Sequence, residues 1–354
     1  KNSQTENDEV AITFPLAYLE RLERMIEFTI HITKPDGNIP QIGDNDSGRF
    51  LKLLPACHFI QVADAKRRYL NLDNYTDLPD NTVVWEVNDL DHRHLVSAAN
   101  GLFGRSDFYK FAGNEHFEEL IIRELSEENL FPAKKVDTRK YEAYKKECGK
   151  REAFIEFNSK LNSLHDSQIQ VYEFSVPEGG LIDGFEWYAY PDFGLYLYRS
   201  KLLYLAIRCG QIGQNGNGGH AHNDQLSIEL NIDGVNLITD PGTYLYTSIP
   251  EKRNMYRSVK AHFTPILESD REPGKISKGP FTLGNEAGAY CVYFGEMGFL
   301  GKHSGYGDLV YRKIELENNL LKIIDCTTGN VNLKRNDYSR EKILHSPGYG
   351  VLLR

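Results

Sequence analysis

The residues best suited to chemistry lie in one short stretch, Gly216-Asn217-Gly218-Gly219-His220-Ala221-His222-Asn223-Asp224. Glycines just before two histidines let the backbone turn sharply and let a bulky ligand approach. In extended backbone a His-x-His pair sends both imidazoles to one face, so one can ligate a metal while its neighbour points toward a substrate. Further along, Thr239-Asp240-Pro241-Gly242-Thr243 adds a carboxylate and Lys260-Ala261-His262 adds another imidazole. Together His222, Asp240 and His262 supply three N/O ligands, enough for a zinc ion with one open or water-filled position. Geometry stands in the way. Across a two-residue turn at Asp233-Gly234, position 240 lies opposite 227, roughly 16 Å along an ideal strand from His222. A shared metal requires the 220–224 segment to curl back, or a bulge to shift the register.

A basic run, Lys252, Arg253, Arg257, Lys260 and His262, stands out against a net charge of −9. That overall charge argues against nucleic acid or an anionic membrane as partner, whereas a local basic patch suits an acidic polymer. The run is expected to face the cleft. Arg257 is the first choice for a bidentate carboxylate contact, and Tyr246 is a candidate for stacking on a ligand ring. The glycines from Gly213 onward lack the Lys-Ser/Thr of a phosphate loop, and neither Gly-x-Ser-x-Gly nor His-Glu-x-x-His occurs. The cysteines, Cys57, Cys148, Cys209, Cys291 and Cys326, are scattered without a Cys-x-x-Cys pair, which argues against a disulfide framework and a thiolate zinc site.

Elements must bring these residues together. Leu16, Leu19, Leu22, Met25, Ile26 and Ile30 recur at helical spacing up to Pro35-Asp36-Gly37. Further helices are predicted at about 50–66, 94–102, 115–128 and 138–163. After about residue 166 the period falls to two, with strands predicted at 194–199, 202–209, 225–232, 235–239, 287–294, 308–316, 320–326 and 349–353. Asp233-Gly234 and Asn318-Asn319 are expected hairpin turns. The reading is an α+β chain of 354 residues: a helical domain at 1–166, then an antiparallel β-sandwich at 167–354. No run approaches the roughly 18 apolar residues of a membrane span. Lys1 to Val10 lacks the layout of a signal peptide, and the sequence begins without Met.

Three segments resemble the heparinase II/III-like lyases, in the order found in that family. They are Pro35-Asp36-Gly37-Asn38-Ile39-Pro40-Gln41-Ile42-Gly43-Asp44-Asn45-Asp46-Ser47-Gly48-Arg49, the stretch from Gly219 to Asp224, and Asp240-Pro241-Gly242-Thr243-Tyr244 with Arg257-Ser258-Val259-Lys260-Ala261-His262. The resemblance implies the closing part of an (α/α) toroid packed on an antiparallel sandwich, acting on a uronate-containing acidic polysaccharide by β-elimination. It implies a cleft role for His220 and a zinc on His222, Asp240 and His262, and it favours a periplasmic bacterial setting. The family's toroid tyrosine and carboxylate-binding asparagine precede the matched segments, and nothing in residues 1–15 corresponds to them. The chain is therefore expected to be the C-terminal piece of a longer protein or to have lost half its active site. Two other readings stand beside the lyase: a non-catalytic glycan-binding or polysaccharide-biosynthesis protein with a zinc-stabilised sandwich, and a metal-dependent hydrolase.

Overall fold

A computed structural model of the protein describes residues 14–45, 47, 57–71, 75–114, 116–126, 144–213, 218–276, 279–336 and 343–354. Its helices are α1 (Leu16–Ile32), α2 (Val62–Arg68), α3 (Arg93–Phe103), α4 (Ser106–Ala112), α5 (Phe117–Leu125), α6 (Arg151–Leu161) and α7 (Pro250–Arg257). Two compact units emerge, Lys1–His31 with Arg93–Lys135, and Ile32–His92 with Val136–Arg354. This division falls elsewhere than the expected 166/167 boundary.

In the first unit, Ile26 of α1 packs with Val96, Ala99 and Phe103 of α3 and Phe108 of α4. Buried Arg105 is held by Glu23 and Glu27, one helical turn apart on α1, and by Asp107. An (α/α) ring is not present among the described residues. What forms is a small helical cluster.

Among the described residues of the second unit, every ladder between strands is antiparallel, and Gly242 and Ser346 form an isolated parallel bridge. Strands β1 (Cys57–Gln61) and β2 (Val83–Val87) form a hairpin-like pair. A six-stranded sheet runs β3 (Cys148–Gly149), β11 (Tyr290–Gly295), β12 (Gly298–His303), β13 (Val310–Leu316), β14 (Leu320–Thr327), β4 (Ile169–Ser175). A five-stranded sheet runs β5 (Glu186–Tyr190), β6 (Leu195–Arg199), β7 (Leu203–Arg208), β8 (Ile228–Ile232), β9 (Val235–Ile238), and β10 (Ile266–Leu267) pairs with β15 (Leu333–Lys334). The two large sheets share one core: Tyr196, Leu205 and Ile207 of one meet Phe294, Phe299, Ile314 and Ile323 of the other. Tyr196 and Tyr198 set their rings 5.0 and 4.7 Å from Phe294.

Both outer faces of this sandwich are also covered. Phe154 and Phe157 of α6 pack on Tyr293, Leu300 and Tyr311. Strand β7 is buried along its whole length, and the segment leaving α1 lies on it: Tyr204 donates its hydroxyl to the Ile32 carbonyl at 2.6 Å. Lys34 pairs with Glu229 of β8 at 2.9 Å, both buried.

The stretch expected as helix at 50–66 is described from 57 onward, where β1 precedes α2; its earlier part lies outside the described residues. Of the helix expected at 138–163, α6 forms only over 151–161, with β3 ahead of it and 138–143 outside the described residues. At 349–353 no strand forms, because only Leu353 bridges to Tyr69. Asp233 and Gly234 both have positive φ, 52° and 76°, as the expected tight turn requires.

One ion pair ties the sheet to the loops above it. Arg312 on β13 lies opposite Asp325 on β14 and donates two hydrogen bonds to its carboxylate, each 2.7 Å. Its Nη1 donates to the carbonyls of Leu226 and Phe263, each 2.6 Å. Leu226 has φ 65°, costly for a branched side chain, so an outside bond must hold that turn. Arg312→Ala leaves Asp325 charged and buried and is expected to cost about 3–5 kcal/mol in chemical denaturation. The joint replacement Arg312→Met with Asp325→Leu is expected to cost clearly less, because no charge is then stranded.

Candidate functional site

The glycine-histidine segment does not continue as a strand. Residues 219–220 sit in a turn, and a bend and second turn follow before β8 begins at Ile228. The β8–β9 ladder is bulged between Leu230 and Asn231, with Leu230 opposite Ile238. Continuing that register puts 240 opposite 228, one residue farther from His222 than the unbulged pairing. Curling of 219–224, not the bulge, brings the histidines back toward Asp240.

What receives them is Asp44, carried on the 34–45 segment. Its buried carboxylate accepts from His222 Nε2 at Oδ1 and from His220 Nδ1 at Oδ2, both 2.9 Å. Arg253 on α7 reaches the same group through both Nη atoms, Nη2 to Oδ2 at 2.8 Å. The main chain is bonded too, Asp44 N to the His220 carbonyl at 3.0 Å. Gly43 allows this approach: it has φ 65°, and a Cβ there would stand 2.5 Å from the His220 carbonyl oxygen. Burial alone raises the Asp44 carboxyl, but the bonds and charges of His222 and Arg253 outweigh it and hold the group below its ordinary range.

The tautomers follow. An ionised carboxylate only accepts, so His220 presents N–H at Nδ1 and its lone pair at Nε2, on a side chain 57% exposed. His222 presents N–H at Nε2 and its lone pair at Nδ1, in full burial. Burial lowers the His222 pKa, against the pull of Asp44. His262 bonds through Nδ1 to Asp240 Oδ2 at 2.6 Å. In that pair burial opposes charge on both groups, yet their attraction wins, raising His262 and lowering Asp240.

The His222 and His262 rings stand 5.3 Å apart, and His222 Nδ1 and His262 Nε2 are both buried without a hydrogen-bond partner. Two orphaned ring nitrogens beside a carboxylate fit a borderline-soft divalent metal by donor type. A complete cage is not assembled: among the described residues no group of three or more His, Cys, Asp or Glu is arranged to hold a metal. Asp240 engages Oδ2 with His262 and Oδ1 with the Gly242 amide at 2.8 Å.

The basic run splits. Lys252 and Lys260 are exposed, whereas Arg253 and Arg257 are buried. Arg257, expected to meet a substrate carboxylate, instead donates to Asn254 Oδ1 and to the carbonyls of Gly279, Pro280 and Thr282 at 2.8–3.1 Å. Burial and the neighbouring Arg253 push it down to about 10. It fastens the 279–282 loop. The Arg253 guanidinium lies 5.3 Å from the Tyr246 ring centroid and 5.9 Å from that of Phe281. Tyr246 is half-buried, 6.0 Å from His220 and 4.9 Å from Tyr349. Phe281 is 5.5 Å from His220. Half-exposed aromatic rings thus surround the outward imidazole. Sequence reasoning gave Asp44 no role of its own and expected Arg253, as part of the basic run, to face the cleft, whereas it is buried against Asp44. The available signal was that His-x-His needs an orienting carboxylate, and Asp44 stands in one of the motif segments.

Residues 185–330 match the family model of the heparinase II/III-like C-terminal domain, a span that holds β5 to β14 with His220, His222, Asp240 and His262. No curated protein matches the chain. Among solved structures the chain is similar to the heparan sulfate lyase HepC from Pedobacter heparinus, with 15% identity and a TM-score of 0.42 over 86% of this chain and 32% of that one. It is also similar to a heparinase III gene product, with 15% identity and a TM-score of 0.40 over 89% of this chain and 33% of that one. The chain therefore spans about a third of the length of these two proteins.

Asp44→Ala strands the buried Arg253 cation and frees both histidine rings. It is expected to lower stability by about 3–5 kcal/mol in urea denaturation, with Asp44→Asn less damaging because an amide oxygen still accepts.

Proposed function

We propose, from the match of residues 185–330 to the heparinase II/III-like C-terminal family model, that the chain is the sheet-bearing part of a polysaccharide lyase. Its substrate is a uronate-containing acidic polysaccharide, cleaved by β-elimination. The observation that carries the reading is His220: a half-exposed imidazole whose Nδ1 is fixed by buried Asp44 and whose Nε2 faces outward beside Tyr246 and Phe281.

Elimination removes the proton on C5 of the uronate, forms the C4=C5 double bond and breaks the C4–O4 bond, with an acid protonating the departing oxygen. His220 Nε2 takes the C5 proton. Asp44 holds the ring in the tautomer that can do so and stabilises the imidazolium that results. Tyr246 and Phe281 offer flat faces for the sugar beside that nitrogen. Arg253 fixes Asp44 and does not meet the substrate.

His222, His262 and Asp240 would hold one zinc, the carboxylate giving up its present bond to the His262 ring to do so. When bound, it supplies positive charge that neutralises Asp240 and pins the loop carrying His220. His222→Ala is expected to abolish zinc retention, measured as metal per chain after purification without chelator, and to lower the melting temperature. Wild-type protein holding less than about a tenth of a zinc per chain would sink the metal assignment.

An ultraviolet assay for the unsaturated uronate product, run on a panel of uronate polymers with this chain and with any longer natural form, tests the reaction. His220→Ala is expected to lower product formation by about 10²–10⁴-fold while leaving zinc content and melting temperature unchanged. Absence of unsaturated product from every polymer, in wild-type protein that holds zinc, would overturn the lyase reading.

A further inference from the structure

The aromatic surface beside His220 does not end with the two rings already placed against the uronate. Phe281 stands 5.5 Å from both His220 and Tyr246, and Tyr349 joins the group through Tyr246, with ring centroids 4.9 Å apart and planes at 57°. Although its ring touches Tyr246, Tyr349 is 39% exposed. The surface therefore extends one ring beyond Tyr246.

The strip that carries Tyr349 is bonded at successive residues. Ser346 N donates to the Pro241 carbonyl at 2.7 Å, and Gly242 pairs with Ser346 in a parallel bridge. The Ser346 and Pro347 carbonyls accept from Gln41 Nε2 and Asn45 Nδ2, both at 3.2 Å. Tyr349 N donates to Ser47 Oγ at 2.9 Å, and Gly350 N donates to the Tyr244 carbonyl at 2.7 Å. Both of these acceptors belong to residues in left-handed backbone, Ser47 at φ 55° and Tyr244 at φ 61°. Such backbone is uncommon outside glycine and costly for a bulky side chain, and it persists only where the surroundings enforce it. Here it occurs at the two residues that grip the main chain at Tyr349 and just after it.

A ring that only filled space beside Tyr246 would have no need of an open face. Tyr349 keeps one in water while its backbone is held rigid. A rigid aromatic side chain loses little freedom on binding, and its apolar face suits the C–H face of a pyranose while its hydroxyl stays free for solvent or ligand.

We propose that Tyr349 is a substrate-binding residue, a platform for the pyranose next to the uronate held at His220. That this sugar belongs to a chain cleaved at His220 rests on the lyase reading; that the ring binds a sugar does not. With heparan sulfate and alginate oligosaccharides as substrates of the full chain, Tyr349→Ala is expected to raise KM for a hexasaccharide about tenfold, and progressively less as the substrate shortens. The kcat for the hexasaccharide is expected to stay near that of wild type, the pattern of binding lost equally from ground and transition states. Tyr349→Phe keeps the ring and is expected to restore KM. Mere support of Tyr246 would instead lower kcat alike at every length. That outcome overturns the proposal, as does a hexasaccharide KM that Tyr349→Ala leaves unchanged.

Affinity is read separately by calorimetry in His220→Ala protein, which binds the oligosaccharide without consuming it. There the added Tyr349→Ala change is expected to weaken hexasaccharide binding about tenfold. Tyr349-dependent binding with no unsaturated product from wild-type protein sinks the lyase reading alone. Product formed with a KM effect that ignores substrate length sinks the platform alone, and no binding of either hexasaccharide sinks the platform whatever the product assay shows.

Discussion

Everything at the candidate site hangs on one buried carboxylate. Asp44 joins the segment leaving α1, the curled histidine loop and helix α7, because His220, His222 and Arg253 all converge on its two oxygens. Ion pairs at a surface contribute little. For His222 and Arg253 burial removes the competing water, so those two bonds are stronger and their loss is more costly, whereas His220 bonds from the exposed edge. A carboxylate bonded to two imidazoles also sets both tautomers at once, directing one lone pair outward and the other inward. The division of labour between His220 and His222 is therefore a property of Asp44 as much as of the histidines.

The rest of the second unit makes that convergence possible. Loops that carry functional groups need a rigid base, and the sandwich provides it with both faces of its sheets covered. Arg312 is the connection between base and loops: from within the six-stranded sheet it holds carbonyls on either side of the site, just after the histidine segment and just after His262. Asn223 works alongside it. Its side chain bonds Glu272 and Gly274, and its amide bonds the Arg257 carbonyl, so the loop is tied down from several directions.

Much of this was legible, and the exceptions have physical causes. Helix α1 follows the periodicity that burial imposes, and strands β6 and β7 read as nearly continuous apolar runs because both of their faces are covered. The β1–β2 pair does neither, because its burial pattern is inverted: Phe59, Val83 and Trp85 face solvent while Glu86 is buried. Strand β12, Gly-Phe-Leu-Gly-Lys-His, hides behind its glycines. At the site, the residue types and spacing nominated His222, Asp240 and His262, and their side chains do lie side by side, yet the pairing of Asp240 with His262 has no sequence signature. Arg253 and Arg257 sit one turn apart on α7 with the same charge. Only the fold distinguishes the one that meets a carboxylate from the one that binds a loop's carbonyls. Asp44 stands in a motif segment, but no local pattern joins it to its partners, which lie 176 and 178 residues away.

That separation has a kinetic side. The histidine loop, Asp44 and the C-terminal strip are drawn from the two ends and the middle of the chain. Gln41 bonds the Ser346 carbonyl across 305 residues, and Asn45 bonds the Pro347 carbonyl across 302. Local hairpins of the sandwich close short loops and form early, whereas contacts this distant form only after long loops have closed, at an entropic cost that nothing local offsets. The Asp44 convergence is thus among the late events of folding, and a chain arrested partway would carry a sandwich without the site that rests on it.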